Sequence, residues 1–250
     1  MKKVLLGGAC AASLLLALTP VVQAADMPVA EPMGMGWYVS VFGGWSHAKD
    51  ESFSLETTAG TPAALDVDLD LDDGFMVGAA LGAQFNEWLR AEVEVSGHFH
   101  DVEGNGTLTP GGPSPALSYY DVDGDEDALF ALANLWVELP LGGVFRPYIG
   151  GGVGFGRLSL DLSINNTTAT THASLIDDDD WGFAYQLGGG VAFEIAPNWA
   201  IDVGYRYKVI NNVGFDIDDD AETLLGATID EGVDKDYKSH NILVGLRFGF

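Results

Sequence analysis

The 250-residue chain holds one cysteine, Cys10, and only 11 basic residues against 37 acidic ones. The cysteine sits within an apolar N-terminal stretch that reads as a targeting segment, so the exported chain has none. A disulfide framework and a thiolate metal site are thereby excluded, and stability in an oxidising compartment must have another source. Scarcity of Lys and Arg excludes nucleic acid as a partner, since phosphate contacts need clustered positive charge. Nowhere is there an uninterrupted apolar run of the ~18 residues that a spanning helix requires. Hydrophobic residues in general are not scarce, at 47% with 11% aromatic, and that content excludes intrinsic disorder.

The first residues follow the plan of a secretory signal. Lys2 and Lys3 form a basic start, Val4 to Leu18 an apolar run, and Val22, Gln23 and Ala24 the small-residue pattern that places cleavage after Ala24. A membrane anchor is the alternative, against which the shortness of the run counts. Lipidation at Cys10 is excluded because Gly7, Gly8 and Ala9 precede it and the run continues to Leu18. The chain thus divides into a signal peptide (1–24), a short lead (25–35) and one domain (36–250). Without Lys2 and Lys3, nine basic residues face 37 acidic ones, a formal charge of −28.

Period-two alternation runs through this domain, and it is a strand signal. Ile242, Val244, Leu246, Phe248 and Phe250 alternate with Asn241, Leu243, Gly245, Arg247 and Gly249. Ile201, Val203, Tyr205, Tyr207 and Val209 alternate with Ala200, Asp202, Gly204, Arg206 and Lys208. Two more such strands start at Leu89 and Phe183. Less regular segments of suitable length are Trp37 to His47, Gly74 to Phe85, Leu129 to Leu139 and Phe145 to Leu158. The total of eight, each near the ~9 to 11 residues that cross a bilayer at a tilt, predicts an all-β, eight-stranded antiparallel up-and-down transmembrane β-barrel.

The connections alternate short and long. Short ones fall at Asn86 and Glu87, Pro140 to Gly143, and Ala196 to Asn198; long ones at 48–73, 101–127, 159–180 and 214–236. Short periplasmic turns and long extracellular loops are the asymmetry of outer-membrane barrels, so both termini are expected in the periplasm. Aromatics gather at both ends of the strands. Trp37, Phe85, Trp88, Phe145, Phe193, Trp199 and Phe250 lie on the turn side, and Trp45, Phe75, Phe99, Trp181, Phe183, Tyr207 and Tyr237 on the loop side, as two interfacial girdles would.

The Trp37, Tyr38, Val39 opening, the Arg146 to Gly152 segment (RPYIGGG) and the terminal phenylalanine strand resemble an OmpA-type barrel of the porin-family, surface-antigen sort. The resemblance covers the whole mature chain and implies a Gram-negative outer-membrane, cell-surface protein. Its surroundings would be outer-membrane lipid and lipopolysaccharide, and Phe250 would be the assembly signal read by the barrel assembly machinery. OmpA continues into a periplasmic peptidoglycan-binding domain; with this chain stopping at Phe250, that role is not expected here. The resemblance names no host ligand and no oligomeric state.

Candidates for chemistry follow from the faces. Arg90, Arg146, Arg206, Lys208 and Arg247 share the expected lumen face with Glu92, Glu94, Glu138, Glu194 and Asp202. Eight strands enclose a bore that side chains can fill, so a plugged, structural barrel is expected. A small-solute porin or proton relay would use the same residue types. His98 and His100 share one strand face near Asp101 and Glu103, and the expectation is a solvated loop edge rather than a metal site, because a third ligand is missing. Ser239 and His240 are adjacent on a strand and point to opposite faces, which denies them a nucleophile and base role. No enzyme is expected, although barrels of this fold do host lipid-modifying activities.

The four long connections hold 29 of the 37 acidic residues and only Lys49 and Lys235 in return. Three runs suggest calcium-loop spacing: Asp66, Asp68, Asp70 and Asp72; Asp121, Asp123 and Asp125; Asp216, Asp218, Asp219 and Asp220. Asp177, Asp178, Asp179 and Asp180 form a further cluster. The glycine an EF-hand needs at its sixth position is replaced by Leu71, Glu126 or Ala221, so no tuned site is expected. No cofactor is expected beyond weakly bound Ca²⁺ or Mg²⁺.

Overall fold

The computed structural model describes residues 36–49, 51–56, 63–110, 118–141, 143–166, 172–216 and 233–250. The expected signal peptide and lead lie outside them. Ten strands follow in order: β1 (Gly36–Ala48), β2 (Glu51–Glu56), β3 (Ala63–Leu71), β4 (Gly74–Asn86), β5 (Leu89–Pro110), β6 (Ser118–Glu138), β7 (Phe145–Asn166), β8 (His172–Ala196), β9 (Trp199–Phe215) and β10 (Val233–Gly249). Eight of them close a ring, β1-β4-β5-β6-β7-β8-β9-β10, every neighbour antiparallel. The ring is sealed by β1 against β10, from Tyr38 opposite Gly249 to Ala48 opposite Ser239. A closed ring satisfies the backbone groups that lipid could not. β2 and β3 form an extra hairpin laid against the upper part of β5, from Leu71 opposite Val102 to Ala63 opposite Pro110.

The eight expected strands are all present, and several run much further than a bilayer demands. β5 and β7 have 22 residues and β8 has 25, so much of what reads as loop in the sequence is strand. The reason is that period two does not stop at the upper aromatic girdle. In β6, Asp121, Asp123, Asp125 and Asp127 face outward in line with Leu129, Ala131, Ala133 and Leu135. The opposite face runs from Tyr120 and Val122 to Phe130, Leu132, Asn134, Trp136 and Glu138, and all of these are buried. The acidic residues are the outer face of a continuous sheet, not coil.

The apolar core therefore sits inside the upper half of the barrel, built from Val67, Leu69, Val102, Val122, Phe130, Leu158, Leu160, Leu162, Ile176, Val213 and Phe215 among others. Below it, the bore is polar. Two expectations fail here for reasons of local register. Tyr237 is not a girdle residue, because it shares its face with Ser239 and Asn241 and is buried inside. Val209 stays on the outward face, paired with Tyr185 and Lys238, but is buried among its neighbours rather than exposed to lipid. Just above it β9 carries a bulge at Asn212 (φ 54°), and the pairing shifts from Ile210 opposite Tyr237 to Val213 opposite Lys235.

The turns are tight. Asn86 Oδ1 accepts from the Trp88 backbone N–H (2.9 Å), an Asx turn between β4 and β5. Asn198 takes a positive φ of 68° after Pro197, which fits the Pro then φ > 0 pattern of a two-residue turn between β8 and β9. On β7 the inward positions are Gly150, Gly152, Gly154 and Gly156. A side chain at Gly150 would collide with the Trp136 ring and one at Gly152 with the Asn134 amide, so these glycines make room for two lumen residues of β6.

Candidate functional site

All ten charged residues assigned to the lumen face are buried in the lower bore, and they meet there. Glu138 at the end of β6 accepts from Arg90 Nε (2.8 Å) and Arg247 Nη1 (2.9 Å), with Arg146 Nη1 at 3.8 Å. Arg146 Nε also reaches Glu194 (2.7 Å), and Arg247 Nη2 reaches Asp202 (3.3 Å). One layer higher, Glu94 accepts from Lys208 Nζ (2.5 Å), Asn134 Nδ2 (2.7 Å) and Gln186 Nε2 (2.8 Å). Buried charges persist only when paired and hydrogen-bonded in this way.

Sequence reasoning missed the neutral half of this network. Glu92 accepts from Tyr38 Oη (2.7 Å), Trp136 Nε1 (2.7 Å), Arg90 Nη1 (2.9 Å) and Asn134 Nδ2 (3.2 Å). Arg206 lies 4.1 Å over the Trp136 ring and Arg90 4.8 Å over that of Tyr148, cation–π contacts in a desolvated space. The signal was available as parity, since Asn134, Trp136, Tyr148 and Gln186 share strand faces with the charged set and Tyr38 alternates with the outward Trp37 and Val39. Between these side chains remains a cavity of about 20 Å³ lined by Arg90, Glu92, Tyr148, Asp202, Arg206 and Arg247 among others.

His98 and His100 are not at a solvated edge. Both point into the barrel and are buried, at the boundary between the polar bore and the apolar core. Ser46 Oγ lies between them, 3.3 Å from His98 Nδ1 and 2.9 Å from His100 Nε2, and His98 packs on Phe130 (5.0 Å between rings). Asp101 faces outward, and so does Glu103, which takes both away from the two imidazoles. Above this layer Lys235 and Glu126 form a buried ion pair inside the core. Ser239 faces the lumen and His240 faces outward.

The acidic candidates separate into two groups. Asp66, Asp68, Asp72, Asp121, Asp123, Asp125, Asp177, Asp179 and Asp216 are exposed, while Asp218, Asp219, Asp220 and the side chain of Asp70 lie outside the described residues. Strand register sets Asp101, Asp125, Asp161 and Asp177 directly opposite one another across β5, β6, β7 and β8. Asp178 and Asp180 are structural: their carboxylates accept from the backbone N–H groups of Asp216 (3.1 Å) and Gly214 (2.9 Å), bridging β8 to β9 above their last paired residues. Among the described residues, no three acidic or histidine side chains are arranged to hold a metal ion.

Local environment tunes this collar. Partial burial raises the Asp127 carboxyl, and Asp125 beside it adds to the effect. A hydrogen bond from Arg157 (Nε to Oδ2, 2.6 Å) lowers Asp179. Asp236 is lowered by the Asn212 backbone N–H, then by Lys238.

The outer face below this collar is a continuous apolar belt between two aromatic rings. Trp37, Phe85, Trp88, Phe145 and Trp199 border it below, and Trp45, Phe75, Phe99, Trp181 and Phe183 above, all exposed. A family model described as the outer membrane protein beta-barrel domain matches residues 10–250. A protein of Brucella suis biovar 1 is 25% identical over 256 residues, covering 89% of this chain and 88% of its own. A Rickettsia typhi protein, 25% identical over 260 residues, covers 100% of both. Among solved structures, OprG of Pseudomonas aeruginosa aligns with a TM-score of 0.46 at 16% identity (86% of this chain, 96% of that one). Neisserial surface protein A aligns at 0.41 and 15% (86% and 97%). With its ring of eight strands, its lipid-facing belt and a family match over nearly its full length, the chain belongs to the outer membrane protein β-barrel domain family, and its place is the outer membrane of a Gram-negative cell.

Proposed function

We propose that the protein is a non-conducting structural barrel that presents an acidic, strand-built head at the cell surface. The observation that supports this best is the lumen, where four cations pair with five carboxylates, Arg206 lies over the Trp136 ring, and the cavity between these side chains is about 20 Å³, room for about one water. A small-solute conduit needs a continuous wet path. Single-channel recording on refolded protein in planar bilayers is expected to give no conductance above protein-free bilayers, and reproducible steps would overturn the reading. An enzymatic role draws no support from Ser239 and His240, which face opposite sides of the wall.

Adhesion is the second reading. The Rickettsia typhi relative is described as an adhesin candidate, and β8 alone continues nine residues past Trp181, on the order of 30 Å of strand, into the extracellular space. Bacteria displaying the protein should attach to host cells better than bacteria displaying a barrel cut back to its girdle. Equal attachment would remove the reading.

The collar should also gather Ca²⁺ or Mg²⁺ diffusely, with dissociation constants on the order of 10⁻⁴ to 10⁻³ M. Calorimetric titration with CaCl₂ tests this against a variant carrying Asp101→Asn, Asp125→Asn, Asp161→Asn and Asp177→Asn. Identical titrations would reduce the collar to a solvated surface. Phe250, whose N–H donates to the Trp37 carbonyl (2.9 Å) at the barrel seam, is proposed to guide assembly. Its deletion should lower the membrane-inserted fraction.

A further inference from the structure

The few outward-facing basic groups of this acidic barrel are not scattered. Six of the nine basic residues downstream of the signal, Arg90, Arg146, Arg206, Lys208, Lys235 and Arg247, are buried inside. Arg157, Lys49 and Lys238 face outward, with the imidazoles of His47 and His240. Arg157 is held by Asp179 on β8. The other four form a square on two adjacent strands: His47 is directly opposite His240, and one step higher the Lys49 N–H donates to the Lys238 carbonyl (3.0 Å).

We propose that this square, on the outer face of β1 and β10, binds the phosphate headgroup of an anionic lipid in the outer leaflet. Its height is right for that. On both strands the outward residues below it are apolar, Val41 and Trp45 on β1, Ile242 and Val244 on β10, so the basic groups begin where the hydrocarbon ends. Aromatics stand at the same level: His47 stacks on Trp45 (5.7 Å), Tyr207 lies 5.0 Å from His240, and the Tyr205 hydroxyl is hydrogen-bonded to His240 Nδ1 (2.6 Å), leaving Nε2 of that ring for a ligand. Aromatic rings beneath Lys ammonium groups that extend toward the headgroups are the arrangement expected of an interfacial anchor.

Charge around the rim selects this sector. Going round the barrel away from β1 and β10, the first outward charge above the belt is Asp101 on β5, Asp127 on β6 and the Arg157–Asp179 pair on β7 and β8. An anionic headgroup is repelled there. On β10 and β1, Asp236 pairs with Lys238 (3.1 Å) and Asp73 with His47 (3.0 Å), which leaves Lys49 and His240 to meet the phosphate. With Lys238 already countered by Asp236, a bound phosphate would counter Lys49 beside it.

The test uses the refolded protein in phosphatidylcholine nanodiscs doped with bisphosphorylated lipid A or with its fully dephosphorylated form, and co-purified lipid A is measured. The parent should retain the phosphorylated form preferentially. Lys49→Gln should lower retention about five-fold, and Lys49→Gln with His240→Gln further, while Arg157→Gln leaves it unchanged. Heat-modifiable gel mobility of each variant establishes that the barrel has folded. Equal retention of both lipids, equal loss in the Arg157→Gln control, or displacement by excess inorganic phosphate would each overturn the proposal.

Discussion

Below the upper aromatic ring the barrel wall is apolar outside and charged inside; above it, the same strands carry acid outside and an apolar core inside. Strand β6 shows both in one run. Its outward face passes from Val137, Leu135 and Leu129 to Asp127, Asp125 and Asp123, while its inward face passes from Glu138 and Asn134 to Leu132, Phe130 and Val122. The parity is unbroken. What inverts is the solvent, so the lower half buries its polar groups away from lipid and the upper half buries its apolar groups away from water. One cylinder thus has two cores held by different forces, ion pairs below and hydrophobic packing above.

Breaking the lower core should have the largest effect. Glu138→Ala strands Arg90, Arg247 and Arg146 without their shared carboxylate, and removal of one partner from a buried ionic cluster costs about 3–5 kcal/mol. In a urea titration of refolded protein in detergent, the variant should unfold earlier or fail to fold. An unchanged midpoint would mean that the lumen charges are not the lower core.

The upper core sharpens the contrast. Leu160→Ala should cost about 2–5 kcal/mol, and the loss should be confined to the extracellular half. Proteolysis of the intact barrel should then cut above the girdle while a folded, heat-modifiable band survives. Protection equal to that of the parent would count against an independent upper core.

Outer faces should respond in opposite ways to the same change. A basic residue at Val93, midway up β5 in the apolar belt, should cost about 2–4 kcal/mol, whereas Asp123→Lys on the same face of the head should be neutral or favourable.

The smallest effect concerns Asp127. Its raised carboxyl means that the folded state holds its proton to higher pH than the unfolded chain does. Its stabilising contribution is present at low pH and is lost as pH rises from the ordinary carboxylate range through the folded value. Asp127→Asn should therefore raise the urea midpoint slightly near pH 7 and leave it unchanged at pH 3.

Alternation by itself determined the number of strands in the ring and the side of the wall on which Arg90, Glu92, Glu138 and Arg247 lie, because a side chain's face on a strand is fixed by parity. It also implied the lumen positions of Tyr38 and Trp136, which charge-based reasoning passed over. Only the tertiary structure decided where strand gives way to loop, since a run such as Asp121 to Asp127 reads as solvated coil until neighbouring β5 and β7 are seen to pair with it. Register decided the rest. That Asp101, Asp125, Asp161 and Asp177 stand in one row, that His47 meets His240, and that β9 bulges at Asn212 all depend on how far each strand slides against the next, a relation between distant segments that no single segment encodes.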